Sequence, residues 1–364
     1  MILLNPGPVN VSDRVRQALQ RPDICHRESE CAELIHGIRQ KLLKAFVPGG
    51  ESEYTAVLLT GSGTAAVEAA MLSSLPAGKR LLVINNGVYG ERLSAMAGPQ
   101  RLGIPDLKFD WQGRPDPEKL RLALRQHPEA LAVALVHHET TTGLNNPVKE
   151  LAEVIDSQNR TSLVDSVSGL AGEPLDIAGS KLYLVVGTAG KCIQGFPGAS
   201  FVIIRKGFLD RLKSYPKRTI YLHLPHYYEE QERGSIPFTP AVQLYYAFDE
   251  ALNELLEEGV ANRIQRYKQA AALIRKRMTA LGVKALLPPE LQSNTITAYH
   301  LPTGLSYPVL HDRLKERGYV IYAGQGPLAE KIFRIANMGA LTLKDFEGFL
   351  AAFQEVLESS AVRA

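Results

Sequence analysis

Residues 182–205 read LYLVVGTAGKCIQGFPGASFVIIR, and this stretch decides the fold. Two apolar runs, LYLVVG (182–187) and SFVIIR (200–205), flank a loop of small residues that holds Lys191. Each run has the length of a strand and no polar face, as expected of a strand covered on both sides. A lone lysine is seldom buried, so one set between two such strands calls for a chemical reason. A Schiff base with a carbonyl group is one such reason. The competing reading is an ammonium that snorkels to the surface.

The same pattern extends towards the N-terminus. AVLLT (56–60), RLLVIN (80–85), LAVALVH (131–137) and TSLVD (161–165) are further short apolar runs. Helical segments such as AAVEAAMLSSL (65–75) separate them. The series predicts an α/β fold with a mostly parallel central sheet buried on both faces. Polar and glycine-rich residues follow the strand ends, and that edge is where open α/β sheets bind ligands. Ser12 caps a short helix over 12–20, with Val15, Ala18 and Leu19 on its apolar side. The texture changes after residue 245. Helices are expected over 261–282, 307–318 and 341–360, and short strands over 295–301, 319–324 and 332–337. These form a second, smaller α+β domain.

Bulk properties narrow the function. Lysine and arginine exceed aspartate and glutamate by 41 to 38, with no long run of one sign, so nothing favours nucleic acid or a membrane surface. The run ILL near the N-terminus is too short for a signal-peptide core and no basic segment precedes it. Three cysteines in 364 residues argue against a disulfide framework and for a reducing cytoplasm.

Cys25, His26, Cys31 and His36 invite a metal reading. Spacing opposes it. Cys31 shares a helical apolar stripe with Leu34, Ile35, Ile38, Leu42 and Phe46, whereas His36 sits five residues on and points elsewhere. No metal is expected, and Cys31 is assigned to the core. His26 and Arg27 precede that helix and read either as an anion contact or as a solvated pair. GTAGKC (187–192) lacks the glycine and hydroxyl residue of a phosphate loop, and HHETTT (137–142) lacks the second histidine of a zinc protease.

What remains is a constellation at the strand ends. Ser62-Gly63-Thr64 opens a helix and presents N–H groups suited to a phosphate. Asp165 ends a strand, Lys191 follows another, and Tyr89 lies in NNGVYGER (85–92). Pyridoxal phosphate asks for these parts: an imine-forming lysine, a carboxylate for the pyridine nitrogen, phosphate donors and an aromatic face. Taken singly, Asp165 reads more simply as a helix cap and Tyr89 as core.

With these pieces assembled, the chain resembles the class V aminotransferases, a family of fold-type I pyridoxal phosphate enzymes. The resemblance runs through LLNPGPV (3–9), LLTGSGTAAVEAA (58–70), NNGVYGER (85–92), HHETTTG (137–143), LVDSVSGLAG (163–172), GKCIQGFPG (190–198) and FRIANMG (333–339). KCIQGFPG is the most specific piece and is similar to the 2-aminoethylphosphonate–pyruvate transaminases within the family.

The resemblance implies a role for each matched position. Lys191 would form the Schiff base and shuttle the proton, and Asp165 would pair with the pyridine nitrogen. Tyr89 would stack on the ring and Thr140 would touch its hydroxyl. Ser62, Gly63 and Thr64 would bind the phosphate, with Thr239 added from the other subunit of a homodimer. Arg334 would bind the anionic end of the substrate, with His26 and Arg27 near it. Residues 1–16 would pack with the small domain, 17–250 would form the large cofactor-binding domain and 251–364 the small C-terminal domain. His26-Arg27 stands where many phosphonate transaminases carry Trp-Asp, and Gly190 where relatives often carry Asn or Gln. The implied activity is transfer of an amino group between 2-aminoethylphosphonate and pyruvate. The nearest alternative is alanine– or serine–glyoxylate transamination. A desulfurase or lyase of the same fold would need a cysteine on a mobile loop, which neither Cys25 nor Cys192 supplies. A non-enzymatic binding module would have no use for Lys191 and Asp165.

Overall fold

The structure is a computed structural model and describes residues 1–361. Its centre is a seven-stranded sheet of β1 (Tyr54–Thr60), β2 (Arg80–Asn85), β3 (Leu107–Lys108), β4 (Ala130–Val136), β5 (Thr161–Asp165), β6 (Leu184–Thr188) and β7 (Ala199–Arg205). They lie in the order β1-β7-β6-β5-β4-β2-β3. The apolar runs fall on β1, β2 and β4 to β7, and nearly every residue of these strands is buried. The edge strand β3 spans two residues and carries no such run, so pattern alone does not reveal it.

Only β7 runs antiparallel, against both β1 and β6. The other neighbours pair in parallel. A parallel return needs a crossover of a dozen or more residues, commonly a helix. The connection from Thr188 to Ala199 is shorter and contains no helix. The chain therefore turns straight back, and Lys191 sits in that return at the C-terminal edge of β6.

A second core joins Leu4 to Ile274, Met278, Leu310, Phe333 and Phe349. Its three-stranded sheet places Ile332–Ala336 between Ile296–His300 and Tyr322–Ala323. The single strand expected over 319–324 is divided. Tyr319–Val320 pairs with Ile2–Leu3 near the N-terminus, whereas Tyr322–Ala323 pairs with Ile332–Ala336. Ile321 lies between them, fully buried, so the chain changes partners across a core residue. The helix Val242–Glu258 packs Ala251, Leu252 and Leu255 into the large core. Gly259, with φ of 83°, turns the chain into the helix Val260–Ala280.

The helix Ser29–Phe46 buries Cys31 completely and leaves His36 exposed, as their spacing predicts. Ser12 accepts from the N–H of Val15 and caps Asp13–Ala18. No described helix is long and apolar enough to cross a membrane.

Candidate active site

Two adjoining cavities open at the C-terminal edge of the central sheet. Thr64, Tyr89, Arg92, Val167 and Lys191 line both. Asp165, His138 and Ser168 complete the first, and Ser62, Gly63, Thr188 and Gly190 belong to the second. Residues spread over more than a hundred positions meet here because each follows the same end of a neighbouring strand.

The phosphate-type cradle is built locally. Ser62 is the N-cap of the helix Gly63–Ser73, and its side chain accepts from the N–H of Ala65 at 3.4 Å. A Cβ at Gly63 would stand 2.7 Å from both methyls of Val167. Glycine at this position therefore lets the helix N-terminus pack against the strand-end loop that follows Asp165.

Asp165 accepts one hydrogen bond, from the N–H of Val167 at 3.0 Å. Burial pushes its carboxyl up to about 6, while that N–H, Arg92 and Lys191 favour the ionised form. Burial also pushes Lys191 down to about 8; Cys192 and Asp165 oppose that shift, and Arg92 and Arg334 add to it. Lys191 Nζ donates to the carbonyl of Pro6. The LLNPGPV segment thus passes directly over the lysine. Gly7 has φ of 119°, a conformation that favours glycine, and a Cβ there would lie 2.5 Å from Lys191 Nζ and push the lysine tip aside.

Tyr89 stands in the first turn of the helix Val88–Ala97. Buried Glu139 braces that turn, accepting from the N–H groups of Tyr89 at 3.2 Å and Gly90 at 3.4 Å. Among the three consecutive threonines, Thr141 donates to Glu139 and Thr142 donates to the Trp111 carbonyl. Thr140 is the one whose buried hydroxyl has no partner. Arg334 is fully buried in the middle strand of the small sheet. It donates from Nε to the Ala323 carbonyl at 2.8 Å, and from Nη1 to the Thr140 carbonyl at 2.9 Å and to Gln325 Oε1 at 3.1 Å. Its Nη2 has no partner.

His138 belongs to HHETTT, which fails as a protease motif, yet it lines the first cavity. Burial pushes it down to about 3, so it is neutral. Its Nδ1–H faces the Ser168 carbonyl at 3.3 Å, which leaves the buried Nε2 as an acceptor without a donor. Arg92 and Gly7 also line a cavity, Glu139 braces the turn that carries Tyr89, and the Pro6 carbonyl receives Lys191. Each stands inside a motif, but only packing shows what each residue meets.

Five expected residues, His26, Arg27, Thr140, Thr239 and Arg334, line neither cavity. Arg334 is still close enough to Lys191 for its charge to act on it, and it holds the Thr140 carbonyl. Arg27 instead donates to Ser235 Oγ at 3.2 Å and to the Ile236 carbonyl at 3.0 Å. The loop before Ser29–Phe46 is thereby held against the segment that leads to exposed Thr239.

The orphaned atoms test the cofactor. His138 Nε2, Thr140 Oγ1 and Arg334 Nη2 are buried polar atoms that lack partners within the chain. Such atoms are costly unless something satisfies them. Of the three residues His138 lines a cavity, and with a lysine of lowered pKa, a carboxylate and a helix N-terminus in the same lining it fits a ring compound bearing a phosphate, a basic nitrogen and an aldehyde. Pyridoxal phosphate has that donor and acceptor set.

Comparison with known proteins agrees. The family model described as Aminotransferase class-V matches residues 12–337. A 2-aminoethylphosphonate–pyruvate transaminase of Syntrophobacter fumaroxidans is 38% identical over 98% of this chain and 96% of its own length. A protein of the same name from Lysinibacillus sphaericus is 36% identical over 99% of this chain and 97% of its own. Among solved structures, an alanine–glyoxylate aminotransferase from Nostoc sp. superposes with a TM-score of 0.90 at 28% identity, covering 98% of this chain and 95% of that one. A subgroup IV aspartate aminotransferase from Thermus thermophilus gives 0.89 at 28% identity, covering 99% and 100%.

Proposed function

The chain belongs to the class V aminotransferases, and from that premise we propose that it moves an amino group from 2-aminoethylphosphonate to pyruvate, leaving phosphonoacetaldehyde and alanine. It is a pyridoxal phosphate-dependent aminotransferase of fold type I. One observation carries the substrate reading: relatives with that activity in their names match the chain from end to end at 36–38% identity. Arg334 is compatible with it. A planar guanidinium with an unpartnered Nη2 suits either a phosphonate or a carboxylate.

Ser62, Gly63 and Thr64 would hold the cofactor phosphate, Tyr89 would stack on its ring and Thr140 would meet the ring hydroxyl. Bound there, pyridoxal phosphate supplies a carbonyl carbon that links to amines and a ring that draws electrons from the adjacent C–H bond. Lys191 Nζ acts as nucleophile. With the cofactor bound and a substrate amine in its place, the same nitrogen would take the proton from the substrate carbon and deliver it to the cofactor carbon, the shift that transamination needs. The Asp165 carboxylate would keep the ring nitrogen protonated. The Pro6 carbonyl offers the displaced Lys191 an acceptor beside the reacting centre. Thr239 would complete the phosphate contacts of a second copy in a homodimer. His26 and Arg27 share its surface and would lie near that copy's substrate. Residues 1–16 would act with the small domain, expected over 251–364, against the large domain, expected over 17–250; the helix Val242–Glu258 packs into the large core and moves that boundary towards Gly259.

The lowered Lys191 value sets a pH dependence. Only the neutral amine attacks, so capture of added pyridoxal phosphate should quicken as pH rises towards about 8 and level off above it. Stopped-flow absorbance from pH 6 to 10.5 checks this. A rate still climbing at the top of that range would assign Lys191 an ordinary lysine value.

The Nostoc neighbour keeps alanine–glyoxylate transfer as the rival reading. The deciding measurement is kcat/KM for 2-aminoethylphosphonate, alanine and serine against pyruvate and glyoxylate. We expect the phosphonate amine with pyruvate to lead by at least about tenfold, or ~1.4 kcal/mol of transition-state preference. An amino acid leading by that margin overturns the substrate and leaves the reaction class in place.

A further inference from the structure

The charge around the second cavity is unbalanced. Its positive groups are the N-terminus of the helix Gly63–Ser73, Lys191 and Arg92, and its lining includes no carboxylate. Arg92 lies one turn after Tyr89 on the same helix. Its guanidinium carbon sits 4.6 Å from the Tyr89 ring centroid, and Nη1 donates to Thr64 Oγ1 at 3.4 Å. Among the described residues it makes no ion pair, although a guanidinium carries five N–H donors. Gly190, in the same lining, offers no side chain.

An occupant with a phosphate would correct this imbalance. A phosphate monoester carries about 1.5 to 2 negative charges near pH 7. A helix N-terminus is equivalent to only about half a positive charge. Lys191 cannot make up the difference, because its nitrogen is committed to the carbonyl carbon. Arg92 is the remaining cation of that lining, and its hydrogen bond to Thr64 already places it beside the cradle.

We infer that Arg92 is a further cofactor-binding residue, whose guanidinium closes the cradle of Ser62, Gly63 and Thr64 over the phosphate. The same group lies over the Tyr89 ring and so ties the ring-stacking platform to the phosphate end. This inference rests on reading Ser62–Thr64 as the phosphate cradle.

The test compares ligands with and without the phosphate. Dissociation constants of pyridoxal phosphate and of pyridoxal are measured by absorbance and fluorescence on the apo protein, for wild type, Arg92→Gln and Arg92→Lys. Arg92→Gln should weaken pyridoxal phosphate at least tenfold and pyridoxal less than twofold. Arg92→Lys keeps the charge and should retain at least a third of the wild-type preference for the phosphorylated ligand. Equal weakening of both ligands in Arg92→Gln would place Arg92 behind Tyr89 instead and overturn the inference, as would an unchanged preference. A lysine variant as indifferent as the glutamine variant overturns it too. A wild type that does not prefer pyridoxal phosphate would remove the cradle reading itself, a separate failure.

Discussion

Lys191→Ala should leave a folded protein that binds pyridoxal phosphate weakly and never develops the visible absorbance of a lysine-bound cofactor. Turnover should fall by about 10⁴-fold, the upper end of what a positioned proton-transferring side chain contributes. The fall is that large because one nitrogen both holds the cofactor and moves the proton, so a single substitution removes two functions. Folding should survive, since the change removes a partly buried amine that makes one hydrogen bond, to Pro6. Borohydride reduction followed by mass measurement of the intact chain checks the linkage independently of activity. Wild type should gain the mass of a reduced cofactor and the variant should not. A colourless wild type, or a variant that still fixes the cofactor, would sink the assignment.

Asp165→Asn should bind the cofactor and still lose about 10³-fold in kcat, the scale seen when one preorganised electrostatic partner of a transition state is removed. Asparagine keeps the shape and can still accept from the Val167 N–H, so the loss isolates the charge. With a carboxyl near 6, Asp165 is mostly ionised at neutral pH and able to hold a proton on the ring nitrogen. A second readout follows from its position. The Asp165 charge raises the Lys191 value, so removing it should move the lysine further down and shift the pH profile of cofactor capture to lower pH. Retained turnover, or an unmoved profile, would take Asp165 out of the role.

The two residues on which these results depend were legible because each lies beside a buried strand. Burial of β5 and β6 is written in their unbroken apolar runs, so Asp165 at the end of one and Lys191 just beyond the other announce polar groups where none is cheap. The cradle was legible for a related reason, since a serine cap before a glycine at a helix start is a local pattern. Arg92, His138 and Glu139 carried no such signal. A charged residue on an amphipathic helix and a polar run after a strand look alike whether they face solvent or a cavity.

Local regularity therefore gave the α/β class and set Asp165 and Lys191 beside buried strands as the residues to examine. Periodicity and capping are properties of near neighbours, and sequence displays near neighbours directly. Tertiary structure decided what depends on distant segments meeting. It reversed β7 because the lysine loop is too short for a crossover, and it divided 319–324 between two partners around buried Ile321. It laid Pro6 and Gly7 over Lys191 through the pairing of Ile2–Leu3 with Tyr319–Val320. It kept His26, Arg27 and Thr239 away from their own cavity, and singled out Thr140 by giving its two neighbours partners. Each outcome depends on which atoms lie within a few ångströms across hundreds of residues, and only the packed chain specifies that.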